Sequence, residues 1–123
     1  IPTKEIVNYL ASRIAVCEAA GIPRARIAVD PGIGFGKTLE HNLEILANIS
    51  AMHSLRCPVV LGASRKSFIG HLTDTDDPHN RKAGSIATAL ATRAHGVQIF
   101  RVHDVAETRQ AFEVWEAIQK TRK

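Results

Sequence analysis

The chain has 123 residues, 45% of them hydrophobic and 23% charged, a composition that excludes a disordered or fibrous chain and leaves room for one globular domain. Sixteen basic residues against twelve acidic ones give a net charge of +4, which favours anionic ligands and is too mild to specify nucleic acid. The longest apolar stretches, such as residues 58–61, fall far short of the roughly 18 residues a membrane span needs, and no basic start with an apolar core marks a signal peptide.

Ile1 stands where an initiator Met would, and Pro2-Thr3 leads straight into a helix, which suggests a piece of a longer chain. Ile6, Val7, Leu10, Ala11, Ile14 and Cys17 recur at three- and four-residue spacing, so residues 3–20 read as an amphipathic helix stopped by Gly21 and Pro23. Residues 26–30 form a short apolar run ending in Asp30, read as a buried strand, and Pro31-Gly32 turns the chain into a glycine-rich loop up to Lys37. Leu39, Leu43, Leu46 and Ile49 predict a second helix, and residues 58–62 a second strand without polar alternation, as in a parallel sheet covered on both faces.

A long polar segment follows Gly62. It ends at Asp76-Asp77-Pro78, where an acidic N-cap and a first-turn proline predict a third helix closed by Gly96. Residues 97–102 read as the third strand. Asp104, with Glu107 three residues on, resembles a capping box for a last helix whose buried face is Ala111, Phe112, Trp115 and Ile118. Helix followed by three strand–helix units predicts a parallel α/β sheet with right-handed crossovers. Three strands make either a small layer or part of a (β/α)8 barrel, which needs about 250 residues when complete.

In parallel α/β folds the site lies at the C-terminal strand ends, and each predicted strand delivers polar residues there. The glycine loop, residues 32–37, fails as a P-loop because Pro31 stands where the first glycine belongs, and Gly32, Gly34 and Gly36 miss the dinucleotide spacing. Asp30 reads either as a turn former or as an acceptor for the N–H groups of a planar heterocycle. Residues 64–67, Ser-Arg-Lys-Ser, read either as a solvated basic turn or as a ligand site, with Gly62 and Ala63 small enough for close approach. Lys66 would then supply a cation, and Ser67, near a helix start, would hold a carboxylate or phosphate.

Arg101 and His103 alternate along the third strand and so face one side, where an Arg in an apolar run has to be paired or ligand-facing. Together they suit a phosphate or diphosphate, with Asp104 as the helix cap and an orienting group for His103. The remaining histidines show no metal-ligand spacing, and Cys17 and Cys57, without CxxC spacing, read as buried thiols.

Residues 30–37 (Asp-Pro-Gly-Ile-Gly-Phe-Gly-Lys), 64–67 and 101–105 (Arg-Val-His-Asp-Val) together resemble the C-terminal half of the dihydropteroate synthase family, in the family's order and over nearly the whole chain. The resemblance implies an incomplete (β/α)8 TIM barrel: its fifth helix, then its sixth, seventh and eighth strand–helix units, as one part of a single pterin-binding domain. It implies a transferase of folate biosynthesis and sulfonamide target that joins p-aminobenzoate to 6-hydroxymethyl-7,8-dihydropterin diphosphate and releases diphosphate.

By resemblance Asp30 accepts from the pterin, Gly62 lies beside it, Lys66 contacts the ring, and Arg101 packs on it while helping His103 hold the diphosphate. Phe35 and Ser67 line the p-aminobenzoate pocket. Catalytic weight falls on Lys66, Arg101 and His103. A magnesium ion is expected, with its ligand in the N-terminal half, and none of these 123 residues is assigned to it. The expected setting is cytoplasmic, with no membrane or nucleic-acid partner, and with a homodimer or the N-terminal half completing the barrel; three units alone are expected to be inactive. Two alternatives remain. One is another pterin-binding barrel such as a methyltetrahydrofolate methyltransferase; the other is a non-enzymatic phosphate- or nucleic-acid-binding α/β module.

Overall fold

The structure, a computed structural model, describes residues 2–123. Five α-helices and two short strands follow in the order α1 (Pro2–Ala19), α2 (Leu39–Ala47), β1 (Val60–Leu61), α3 (Ser67–Thr73), α4 (Lys82–Arg93), β2 (Ile99–Phe100) and α5 (Val105–Thr121). β1 and β2 pair in parallel, Val60 opposite Ile99 and Leu61 opposite Phe100. The fold is therefore α/β with parallel strands joined through helices, as the element order predicts.

The first predicted strand contracts to a single parallel bridge between Val29 and Val59. Two local features shorten it. Arg24–Arg26 closes a 3₁₀ turn in which the Ile27 N–H donates back to Arg24 O, and Pro31 offers no N–H beyond Asp30. What remains is well made: Val29 N–H donates to Pro58 O at 2.8 Å and Val60 N–H to Val29 O at 2.7 Å. The ladder continues across the layer with Ile99 N–H on Val59 O and Arg101 N–H on Leu61 O. The three segments thus lie side by side in chain order, and their carboxyl ends open on one face.

The polar segment after Gly62 contains a helix that periodicity alone does not predict, α3, whose Phe68 and Ile69 are buried. Asp77 does cap, accepting from the His79 N–H, but Pro78–Asn80 is one 3₁₀ turn and the third predicted helix begins only at Lys82. The break falls at Arg81, whose guanidinium is drawn back onto the carbonyls of Thr75, Asp76 and Arg65. The second predicted helix also ends early, at Ala47, and Ile49–Leu55 continues as 3₁₀ turns.

The core is one cluster. Ile45, Ile49, Met52, Val59 and Val97 are wholly buried in it, each burial contributing about 1.5–3 kcal/mol. α1 lies against α2 and the Ile49–Leu55 turns, and closes the cluster with Ile14. Cys57 is buried and Cys17 half-buried, both as free thiols. The face predicted to be buried on α5 is only half covered: Ala111, Phe112 and Trp115 are intermediate and Ile118 is exposed, because α5 has α4 on one side and open solvent beyond it. Phe112 still meets Phe100 edge-on, ring centroids 5.0 Å apart. No helix among the described residues is long and apolar enough to cross a membrane.

Candidate active site

Gly62, Ser64, Lys66, Arg101, Val102 and His103 line a cleft of about 230 Å³ at the carboxyl ends of β1 and β2. Parallel pairing explains the convergence: the two strands end side by side, so the residues just past each end project toward the same space. Arg101 lies directly over Gly62. A Cβ built at Gly62 would stand 2.5 Å from Arg101 Nη2 and 2.9 Å from Cζ, so the absence of a side chain there lets the guanidinium cross the strand end.

Arg101 is exposed rather than buried, and it is paired: Nη2 donates to Asp30 Oδ2 at 2.5 Å. The other Asp30 oxygen accepts the Gly32 N–H at 2.8 Å. Asp30 therefore reaches the cleft through Arg101, and combines the turn-forming role with that of an acceptor facing the site. A planar heterocycle with two adjacent N–H donors would compete with Arg101 for this carboxylate.

Lys66 spans from the cleft to the glycine loop. Its Nζ donates to Ile33 O at 2.7 Å and stands 4.3 Å from the centre of the Phe35 ring. Gly34, at φ 91°, lets the lysine stem pass, since a Cβ there would meet Lys66 Cδ at 3.0 Å. Partial burial lowers the Lys66 pKa, and the neighbouring Arg101 cation lowers it further, against the pull of Asp30. His103 Nδ1 lies 2.9 Å from Ser64 Oγ, which fixes the imidazole at the far wall.

Ser67 stands apart. It is exposed at the first turn of α3 and lines a neighbouring depression of about 330 Å³ with Lys37, Thr38, Leu39, Asn42, Phe68 and His71. Phe35, 70% exposed, joins the site only through Lys66. The structure thus gathers Gly62, Lys66, Arg101 and His103 in one cleft, attaches Asp30 and Phe35 to it, and leaves Ser67 beside it.

Asp104 does not act as the predicted cap. Its side chain makes no bond to the start of α5 and turns instead to Arg65, while Glu107 pairs with Lys82 at 2.9 Å. Nor does Asp104 hydrogen-bond the His103 ring, whose partner is Ser64. Sequence reasoning also missed Asn42, a buried side chain on α2 whose Oδ1 accepts the Gly34 N–H at 2.9 Å and sets the glycine loop. A polar residue among Leu39, Leu43 and Ile45, on the inner face of a short helix, was its only signal.

Two cations, an imidazole and a carboxylate thus meet at adjacent parallel strand ends of an α/β layer, an arrangement with the charge and the donors to take anionic groups. The chain belongs to the pterin binding enzyme family, whose sequence profile matches residues 2–103. It is 47% identical over 115 residues to the dihydropteroate synthase of Neisseria meningitidis serogroup C, covering 93% of this chain and 41% of that protein. Two solved structures of Xanthomonas albilineans dihydropteroate synthase, one with 4-aminobenzoic acid and one with 7,8-dihydropteroate, superpose with TM-scores of 0.96 at 41% identity. Each covers 98% of this chain, which in turn covers 44% and 46% of them. The chain spans about two fifths of the length of the curated relatives it matches.

Proposed function

We propose that this chain is the C-terminal portion of a dihydropteroate synthase, the last three strand–helix units of a (β/α)8 barrel, and carries the pterin and diphosphate side of its active site. The observation that carries the reading is the convergence of Lys66, Arg101 and His103 on Gly62, with Asp30 behind Arg101. The similarity to dihydropteroate synthases along nearly the whole chain supports it.

The reaction forms a C–N bond and breaks a C–O bond. The amine of p-aminobenzoate attacks the methylene carbon of 6-hydroxymethyl-7,8-dihydropterin diphosphate, diphosphate leaves with the bonding pair, and the nitrogen gives up one proton to water or to the departing diphosphate. Negative charge grows on the departing oxygen as the bond stretches, so preorganised donors at that end lower the barrier. Arg101 and His103 are placed to receive it. Asp30 takes the ring N–H groups once Arg101 releases it, and Lys66 faces the ring from the opposite wall. Phe35, exposed beside Lys66, and Ser67, in the neighbouring depression, are the groups for p-aminobenzoate. No protein nucleophile is needed.

Among the described residues no group of three or more His, Cys, Asp or Glu is placed to hold a metal ion. The donor set of the cleft, two cations and an imidazole around one carboxylate, does not suit magnesium, whose ligands would have to come from elsewhere in a complete barrel. Every role above belongs to this chain's own side chains.

A fluorescence titration with 6-hydroxymethylpterin diphosphate tests the reading. Saturable binding that Asp30→Asn weakens is the expected result. Binding that ignores Asp30→Asn, or tighter and steeply salt-dependent binding to a random DNA duplex, would replace it with a general anion-binding module. Three units do not close a barrel, so turnover of both substrates is expected only with the remaining units present.

A further inference from the structure

Arg65 lies between two residues of the cleft, Ser64 and Lys66, and its backbone is in the left-handed region at φ 57°. For a residue with a Cβ this conformation costs about 1–2 kcal/mol, and it persists only where the surroundings over-determine it. Both backbone polar groups of Arg65 and two of its three guanidinium nitrogens are engaged. Its N–H donates to Ser85 Oγ at 2.7 Å, and its carbonyl accepts from Arg81 Nη1 at 3.0 Å. Its guanidinium forks onto Asp104, Nη2 to Oδ1 at 2.9 Å and Nε to Oδ2 at 3.3 Å.

Neither partner lines the cleft, and the pair is largely sheltered, with side chains 22% and 11% exposed. It nevertheless joins the two loops that form the cleft walls. On one side Arg65 sets the direction of Ser64, which holds the His103 ring, and of Lys66, which reaches Ile33 O. On the other side Asp104 is the residue after His103.

We propose that Arg65 and Asp104 are positioning residues whose forked ion pair locks the loop after β1 to the loop after β2, holding Lys66 and His103 on opposite walls of one anion site. The inference rests on the reading of the cleft as a diphosphate site. The groups facing Asp104 are Arg65, Lys82 and His103, which favour its charged form, and the Glu107 carboxylate, which opposes it; the Arg65 hydrogen bond is the largest influence and holds the Asp104 pKa below its ordinary value. The lock is therefore closed throughout the neutral range. An Arg is required, because a lysine supplies a point charge and not the planar fork that two carboxylate oxygens accept together.

The test is isothermal titration with inorganic diphosphate on the parent chain and on Arg65→Gly, Arg65→Lys and Asp104→Asn, with urea unfolding of each. Glycine accepts φ 57° without strain, so Arg65→Gly removes the side chain while relieving the backbone. The expected result is a loss of diphosphate affinity of about tenfold in all three folded variants, with Arg65→Lys failing to rescue. Arg65→Gly combined with Asp104→Asn should be no worse than either alone. The direction for Asp104→Asn is decisive: removing a negative charge near an anion site would strengthen binding through space, whereas loss of the lock weakens it. The proposal is overturned if Asp104→Asn binds as tightly as the parent or more tightly, or if Arg65→Lys keeps affinity within twofold. Those results, with the parent still binding, leave the diphosphate site standing; a parent that binds no diphosphate brings down the site and the lock together.

Discussion

Gly62→Ala separates the binding role of the cleft from its stability. Gly62 is buried, and its backbone is outside the left-handed region, so alanine introduces no φ strain. The new Cβ would fall 2.5 Å from Arg101 Nη2 and 2.9 Å from Cζ, both at the far end of a flexible side chain that can swing into solvent. The guanidinium moves and the pair with Asp30 opens. That pair has an Arg101 side chain 63% exposed, so its loss costs at most about 1 kcal/mol of stability. Binding responds differently. A displaced Arg101 removes a charged hydrogen bond to the ligand, about 1.5–3 kcal/mol, which is about 10- to 150-fold in affinity at 1.4 kcal/mol per tenfold. Urea unfolding should thus shift little, while titration with 6-hydroxymethylpterin diphosphate shows at least a tenfold loss. An affinity within twofold of the parent would refute the placement of Arg101 over Gly62 as the reason for the glycine; a stability loss of several kcal/mol would refute the claim that only a mobile side chain yields.

Asp30→Asn should have opposite effects on two ligands: it weakens the pterin diphosphate by replacing one of the two carboxylate acceptors with an NH2 donor and removing the charge, yet frees Arg101 and strengthens free diphosphate by about threefold or more. Parallel changes in both titrations would contradict the Asp30–Arg101 pairing. Lys66 should lose its charge at lower pH than an ordinary lysine, so affinity for 6-hydroxymethylpterin diphosphate declines early in a titration from about pH 8 to pH 11, and Lys66→Arg removes that limb. The sign for stability follows: the unfolded chain holds the Lys66 proton more tightly than the folded one, so the penalty for the charged form is present at low pH and is relieved as pH rises from the folded pKa to the unfolded one. Ile45→Ala, at a wholly buried core position on α2, should cost about 2–5 kcal/mol in urea unfolding, and a loss below 1 kcal/mol would mean that the core is not packed as described.

Local signals in this sequence are informative where one residue type has one consequence. Apolar runs without alternation mark the parallel strands, although Ile99 of β2 is exposed and Val60 of β1 only half-buried; Gly96 ends α4, and polar residues collect at the ends of those runs. The first strand was overread because Pro31 and the Arg24–Arg26 turn leave a single bridge where propensity alone allows five residues. Glu107 and Asp104 matched a capping pattern, but stronger partners, Lys82 and Arg65, draw both side chains away. α3, whose start the sequence suggests only at Ser67, is a seven-residue helix with too few turns for periodicity to register.

By itself the sequence determined the alternation of helices and parallel strands, the strand ends at which the polar groups lie, and the motifs that relate the chain to the pterin binding enzymes. Only the tertiary structure decided which of those groups meet. Arg101 reaches Asp30 from 71 residues away, Arg65 reaches Asp104 across 39, and Asn42 holds Gly34 from a neighbouring helix. Each contact depends on strand register and loop direction, which spacing along the chain does not encode. Ser67, next to Lys66 in the chain, faces a different depression, because the first turn of α3 rotates it away from the cleft that its neighbour lines.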